Sequence, residues 1–340
     1  MRRIGSRRLN FAIYGAMAAL IACAGAAFAE AIIVSNYGTA ASAMPYAIAL
    51  KKGYFQEFGA DVDAILDMDG VAAVQRLLKD GLAYAEVAPA AVAEAAQTGN
   101  DISIISGNVY TVEGYAWVVL PSSPIHSVAD LKGKGLGYSS DGSTTDALNR
   151  LLLAKASLSP SDVRLNRVGG LLPAFTYIEI KGIDTAPIPE PLRSIAGSKY
   201  KTIATADVLP PIADAVGITT ASAKLEKANF IRGVLKARRK AVAYLHENPA
   251  DATGIVAVVY KADPAVIERV IRSIIEKEKA KGEKYWETDA PIKVGPIKSA
   301  IPPSRTAQMA SGASASDANL SRLIDNSLLA DIMKPSSGRQ

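Results

Sequence analysis

The sequence predicts an α/β protein of two lobes, with mostly parallel sheets flanked by helices. Three observations carry this. Short apolar runs alternate with helical stretches of about ten residues, the pattern of strands joined by helical crossovers. The alternation stops at Pro121–Pro124 and starts again beyond it. The 340-residue chain, even without a leader, exceeds what one core usually covers.

Ile32–Ser35 reads as the first strand, followed by the polar loop Asn36–Ser42 and a helix through Leu50. Val62–Leu66 is the second strand. Met68, Asp69 and Gly70 then turn the chain into a helix over Val71–Lys79. Ala83–Val87 is the third strand, closed by Pro89 and a helix to about Gln97, and Ile102–Ser106 is the fourth. Tyr115–Leu120 is a further strand that Pro121–Pro124 ends. Gly135–Tyr138 empties into a loop of Ser, Asp, Gly and Thr, and a helix to about Lys155 follows. Leu148, Leu151 and Leu152 share one face of that helix. Ser143, three residues before Asp146, has capping-box spacing and sets the helix start near Thr144. Val163–Val168 is the next strand. Gly182–Thr185 with Pro187–Pro191 then echoes Gly81–Val87 with Pro89, so the two halves look similarly built. From about Pro210 the chain reads as helical, over Leu225–Leu245, Ala250–Tyr260, Ala265–Lys279 and Leu320–Met333. Pro249 and Pro264 mark helix starts, and Ser311–Ser316 is a connecting loop.

Charge and cysteine bound the function. Arg2, Arg3, Arg7 and Arg8 precede the apolar run Phe11–Ala22 and the small-residue site Ala27-Phe28-Ala29, the pattern of an export leader over residues 1–29. The chain is therefore expected to be exported. Leu20–Cys23 also fits a lipoprotein box, which would instead anchor the chain to a membrane through Cys23. Those four arginines belong to the 38 Lys+Arg, so the exported part carries 34 against 33 Asp+Glu. That balance gives no case for nucleic acid. Lys236–Lys240, with Arg238 and Arg239, reads as a solvated helix face. Cys23 is the only cysteine and there are two histidines, so no thiol nucleophile, metal or cofactor is expected. His126 reads as a surface-loop residue and His246 as a helix C-terminal one.

Ligands of parallel sheets sit beyond the carboxyl ends of the strands. That rule nominates Asn36, Tyr37 and Ser42 in the first loop and Asp69 with Gly70 in the second. Ser139, Ser143, Thr144 and Thr145 could hold an anion with hydroxyls and helix N-terminal N–H groups, or could serve only to cap the helix. Asp141 and Asp146 beside them disfavour a strong anion. Glu190 lies between two prolines and could face the cleft or its rim. Tyr115, with Tyr110, offers a flat apolar wall, while Trp117 reads as core. Of the nominated loops only Pro187–Arg193 contains an arginine. The expected solute is therefore small and organic, with at most one negative group such as a sulfonate or carboxylate.

Three stretches carry a family resemblance: Pro45–Asp63 (PYAIALKKGYFQEFGADVD), Ser123–Gly142 with Val128–Gly133 inside it, and Gly182–Pro191 ending in Glu190-Pro191. In order and spacing the chain resembles a solute-binding protein of an ABC importer, of the nitrate/sulfonate/taurine-binding type related to pyrimidine-precursor binders. The resemblance implies a type II-like periplasmic-binding-protein fold with two hinge crossovers, near Leu120 and near Ala206. Lobe 1 would comprise residues 30–119 with 207–335, and lobe 2 residues 120–206. It implies a cleft that closes on a small-molecule ligand, a permease partner in the inner membrane and a monomer. Tyr84 stands where the family commonly has Asp, and Ile188-Pro189 where an aromatic residue usually precedes Glu-Pro. These departures bear on the ligand rather than the fold. A non-thiol enzyme on the same fold and a ligand sensor for a separate partner are the alternative functions.

Overall fold

The computed structural model describes residues 30–287, 290–302 and 317–333. The leader, Cys23 and Ser311–Ser316 lie outside them. The first half builds β1 (Glu30–Val34), α1 (Met44–Lys51), a short α2 (Tyr54–Glu57), β2 (Val62–Asp67), α3 (Gly70–Asp80), β3 (Ala85–Val87), α4 (Pro89–Gln97) and β4 (Ile102–Val109). The second half builds β5 (Ala116–Val119), β6 (Gly135–Tyr138), α5 (Thr144–Lys155), β7 (Arg164–Arg167), α6 (Leu171–Glu179), β8 (Ala186–Ile188), α7 (Leu192–Ala196) and β9 (Lys201–Thr205). The chain then adds β10 (Ala215–Thr220) and the helices α8 (Ala221–Glu226), α9 (Ala228–Glu247), α10 (Pro249–Tyr260) and α11 (Pro264–Lys281).

One sheet has the order β2-β1-β3-β10-β4. β1 pairs parallel with both β2 and β3, as the alternation predicted. β10 enters between β3 and β4 and runs antiparallel to both. The sequence did not announce this strand, because Ala215–Thr220 is short, holds Gly217 and precedes a long helical stretch. Gly217 is required there: a Cβ would overlap Ser106 Oγ and sit 2.6 Å from the Tyr84 hydroxyl. The other sheets are β8-β5-β9, antiparallel throughout, and the parallel pair β6-β7. The chain therefore passes between the two main sheets over residues 110–115 and returns over 206–214. β5 already pairs in the second of them, so the first passage precedes Leu120.

The first sheet and the two smaller sheets have separate apolar interiors. Ile32, Ile33, Val34, Val74, Leu77, Ile104 and Ile218 are buried in the first cluster, which α9 and α10 complete. Trp117, Leu136, Leu148 and Leu152 are buried in a separate cluster. Trp117 is core as predicted, and its indole N–H donates to Asn149 Oδ1 at 2.7 Å.

Arg238 corrects the reading of Lys236–Lys240 as a solvated face, since it is wholly buried. Its guanidinium donates to Glu287 O at 2.7 Å and Asn108 O at 2.9 Å, and Nε lies 3.5 Å from Glu86 Oε2. Glu86 Oε2 also accepts from the Tyr46 hydroxyl at 2.9 Å and Asn108 Nδ2 at 2.5 Å. The Tyr46 and Tyr84 hydroxyls are 2.6 Å apart, so α1, β3, β4 and α9 share one polar knot. Removing one member of such a buried pair strands the other charge. Arg238→Met is expected to destabilise the protein by about 3–5 kcal/mol in urea unfolding. Adding Glu86→Gln should recover part of that loss; a purely additive double variant would show that the pair is not coupled.

Candidate functional site

The nominated loops meet across the two halves of the chain. Asp69 precedes α3 but makes no capping bond. Its carboxylate reaches over instead, accepting from Ser139 Oγ and Ser140 Oγ, each at 2.5 Å. Val71 N–H donates to Asp141 O at 2.9 Å. Gly70, at φ +61°, lies so near Asp141 O and Ser140 Oγ that a Cβ would overlap both. A Cβ on Gly142 would sit 3.2 Å from Ala91 Cα. The glycines thus serve close approach of two backbones.

The hydroxyls nominated to cradle an anion already have partners. Thr145 Oγ1 accepts from Ser139 N–H at 2.8 Å. Ser143 accepts from Asp146 N–H at 3.2 Å and caps α5, which starts at Thr144 as its spacing predicted. Thr144 Oγ1 donates to Asp214 O at 3.1 Å. Asp214 is 4% exposed and accepts the Tyr115 hydroxyl at 3.3 Å, and the hydroxyls of Ser42 and Thr144 also reach its carboxylate. Burial lifts the Asp214 pKa to about 6, against the pull of these three donors.

The first loop is organised by a different acid. Asn36 adopts φ +57°, and its carbonyl accepts from Thr39 and Ala40 N–H at 3.0 Å. Tyr37 N–H donates to Asp67 Oδ1 at 3.1 Å. Burial, then the charge of Asp69, raises the Asp67 pKa to about 6. Among the described residues none of Asp67, Asp69 and Asp214 pairs with Lys or Arg. The same loop touches the second lobe where Ala41 N–H donates to Glu190 O at 2.7 Å. From behind, the Tyr260 hydroxyl donates to Ala40 O at 2.7 Å and the Trp286 indole to Ala41 O at 2.9 Å.

Beside this seam, against the 110–115 passage, lies a cavity of about 610 Å³. That volume suits a small organic molecule. Tyr110, Tyr115 and Tyr285 give it flat walls, and Glu190, Arg193 and Ser194 face it from one side. Arg269, Ser273 and Lys277 of α11 face it from the other. Of the nominated residues, Tyr115 and Glu190 line the cavity, while Ser42, Asp69, Gly70, Ser139, Ser143, Thr144 and Thr145 belong to the closed seam. Asn36 and Tyr37 shape the first loop. Glu190 forms an ion pair with Arg193 and accepts Ser194 N–H at 3.1 Å. Asp214, Tyr285 and Arg269 escaped the sequence reading. They lie in the stretch read only as helices, where no local spacing marks a residue that faces a cleft. His246 carries out its C-terminal role, with one ring nitrogen on Val242 O at 2.8 Å and the other on Glu278 at 2.6 Å. Among the described residues no three His, Cys, Asp or Glu side chains converge as a metal site, and no helix is long and apolar enough to cross a membrane.

The family described as NMT1/THI5 like matches residues 40–252. A Brucella abortus (strain 2308) protein, provisionally named a binding protein, is 26% identical over 247 residues, spanning 69% of this chain and 72% of its own. The alkanesulfonate-binding protein SsuA of Xanthomonas axonopodis pv. citri, solved with MOPS bound, superposes with a TM-score of 0.69 at 16% identity, over 87% of this chain and 97% of that one. The periplasmic nitrate-binding protein NrtA of Synechocystis PCC 6803 gives 0.68 at 15% identity, over 91% of each chain. These likenesses establish the two-lobed periplasmic-binding-protein fold.

Two outcomes follow from the seam. Asp69→Ala removes the acceptor of two cross-lobe bonds and should raise the radius of gyration of the ligand-free protein in small-angle scattering. An unchanged radius would assign the seam to its backbone contacts alone. Asp214 keeps its proton in the folded state to about pH 6. It therefore contributes stability below about pH 4 that is lost as pH rises through about 6. Asp214→Asn should gain stability relative to the parent across that window, by at most about 3 kcal/mol, in unfolding curves at stepped pH. A constant difference between the two would refute the assignment.

Proposed function

The chain belongs to the NMT1/THI5-like family, and on that premise we propose that it is the exported solute-binding component of an ABC importer. The observation that carries this reading is the 610 Å³ cavity walled by three tyrosines and bounded by both lobes and the passage between them. Residues 30–109 with 215–333 act as one lobe and 116–205 as the other. The segments 110–115 and 206–214 absorb the rotation between them. The solute is a small organic molecule with at most one negative group, a sulfonate or carboxylate. Nitrate and alkanesulfonate are what the two structural neighbours are named for, and their fold supports capture rather than turnover. Closure over the solute presents a surface that an inner-membrane permease reads.

Asp69, Gly70, Ser139 and Ser143–Thr145 act as the jaws that register closure, Ser42 and Asp214 as their meeting point, and Tyr115 and Glu190 as ligand contacts. Asn36 and Tyr37 hold the first jaw in shape. Capture stabilises the folded chain: a solute at 100 times its dissociation constant adds about 2.7 kcal/mol. A thermal-shift panel of alkane- and arylsulfonates, aromatic carboxylates, nitrate, pyrimidines and amines on the leaderless protein should therefore contain at least one compound that raises Tm by a few degrees. A panel without any shift, or a hit that the protein converts to product, would overturn the proposal.

A further inference from the structure

Resting on the solute-capture reading above, we propose that Arg193 of α7 and Arg269 of α11 form a clamp, one jaw from each lobe, for the sulfonate or carboxylate of an organic mono-anion.

Placement comes first. α7 and α11 pack against each other. Arg193, Ser194 and Arg269 line both the 610 Å³ cavity and an adjoining cavity of about 340 Å³, so they stand on the partition between the two. Arg269, Ser273 and Lys277 follow one another at spacings of four on α11 and all line the larger cavity, which makes one polar helix face turned towards it.

Partners come second. Arg193 spends part of its guanidinium on Glu190, yet its Nε is buried and has no hydrogen-bond partner. Arg269 has neither an ion pair nor a hydrogen bond among the described residues. The larger cavity is also lined by Glu113, Asp207, Glu278 and Glu283. Glu113 is held by Lys281, Asp207 accepts from Thr205 Oγ1, Glu278 is held by His246 and by Tyr285 N–H, and none of the four pairs with Arg193 or Arg269 among the described residues. A guanidinium carries five donors in a rigid fork that matches the paired oxygens of a carboxylate or sulfonate. Two forks with open donors on facing lobes form a site for one such group. Ser194 and Ser273 can add hydroxyl donors, and the body of the solute lies along Tyr115 and Tyr285.

The seam shows why the anion belongs here rather than at Ser139–Thr145. There it would face Asp69 and Asp214, neither of which pairs with a cation among the described residues. At the partition two guanidiniums, Arg193 and Arg269, face the cavity, and of the lining carboxylates only Glu190 pairs with either of them among the described residues. Because the two arginines come from different lobes, filling the clamp also favours the closed state.

The test titrates the leaderless protein with benzenesulfonate, benzoate and benzylamine by calorimetry, using Arg269→Ala, Arg269→Glu and Arg272→Ala. Arg272 lies on the same helix and lines neither cavity, so its variant controls for net charge. Arg269 has no partner to lose among the described residues, and unchanged Tm values will show that the variants fold. At least one of the two anions should bind, and both Arg269 variants should weaken it by about tenfold or more while Arg272→Ala does not. The tighter of the two anions identifies the acidic group. Equal affinities for Arg269→Ala and Arg272→Ala would overturn the clamp. Binding of benzylamine alone would overturn it too, while leaving solute capture intact. Silence from these probes and from the wider panel would remove both.

Discussion

The buried contact between Arg238 and Glu86 is the constraint on which the first lobe rests. An uncompensated charge in an apolar interior is far costlier than a missed packing contact. The pair therefore dictates where α9 must lie against β3 and β4. Asn108 serves it twice, through a side-chain donor to Glu86 and a backbone acceptor for Arg238. Glu287, whose carbonyl takes the remaining guanidinium bond, follows directly on Tyr285 and Trp286. The same charge pair that fixes α9 thus places a cavity-lining phenol and the indole that braces the first loop. Scaffold and cleft are not separable here.

Electrostatics then divides the space between the lobes. Carboxylates that pair with no cation among the described residues gather along the seam, where hydroxyls and backbone amides satisfy them. Guanidinium and ammonium groups gather on α7 and α11 around the cavity. Hydroxyl-rich loops serve either polarity, because a Ser or Thr hydroxyl both donates and accepts. What such a loop does is decided by the charge of the surface opposite it. For Ser139 and Ser140 that surface is Asp69.

This explains what the sequence could and could not disclose. The strands β1 to β4, the Ser143 cap and the helix starts at Pro249 and Pro264 depend on spacing and on local hydrogen bonds, and they were legible. β10 was hidden because its partners lie more than a hundred residues earlier, and because a glycine needed for close approach looks like a weak strand former. Arg238 was hidden because periodicity cannot tell a guanidinium that reaches a buried carboxylate from one that faces water. The burial of Asp214, and the lack of a partner for Arg269 among the described residues, exist only once the chain has folded back on itself.

The position of β10 also has a temporal meaning. Synthesis delivers β4 more than a hundred residues before the strand that pairs with it, and everything from β5 to β9 emerges in between. Until residues 215–220 arrive, β4 is an edge without its neighbour and β3 is paired on one side only. An exposed edge of this kind invites pairing with other chains. The second lobe, by contrast, has all its strands in one continuous stretch and can close first. A chain truncated within the later helices would retain a complete sheet, whereas one truncated before Ala215 would present an unfinished one. The order in which the ribosome releases the chain therefore makes the first lobe, although its strands are made earliest, the last to be finished.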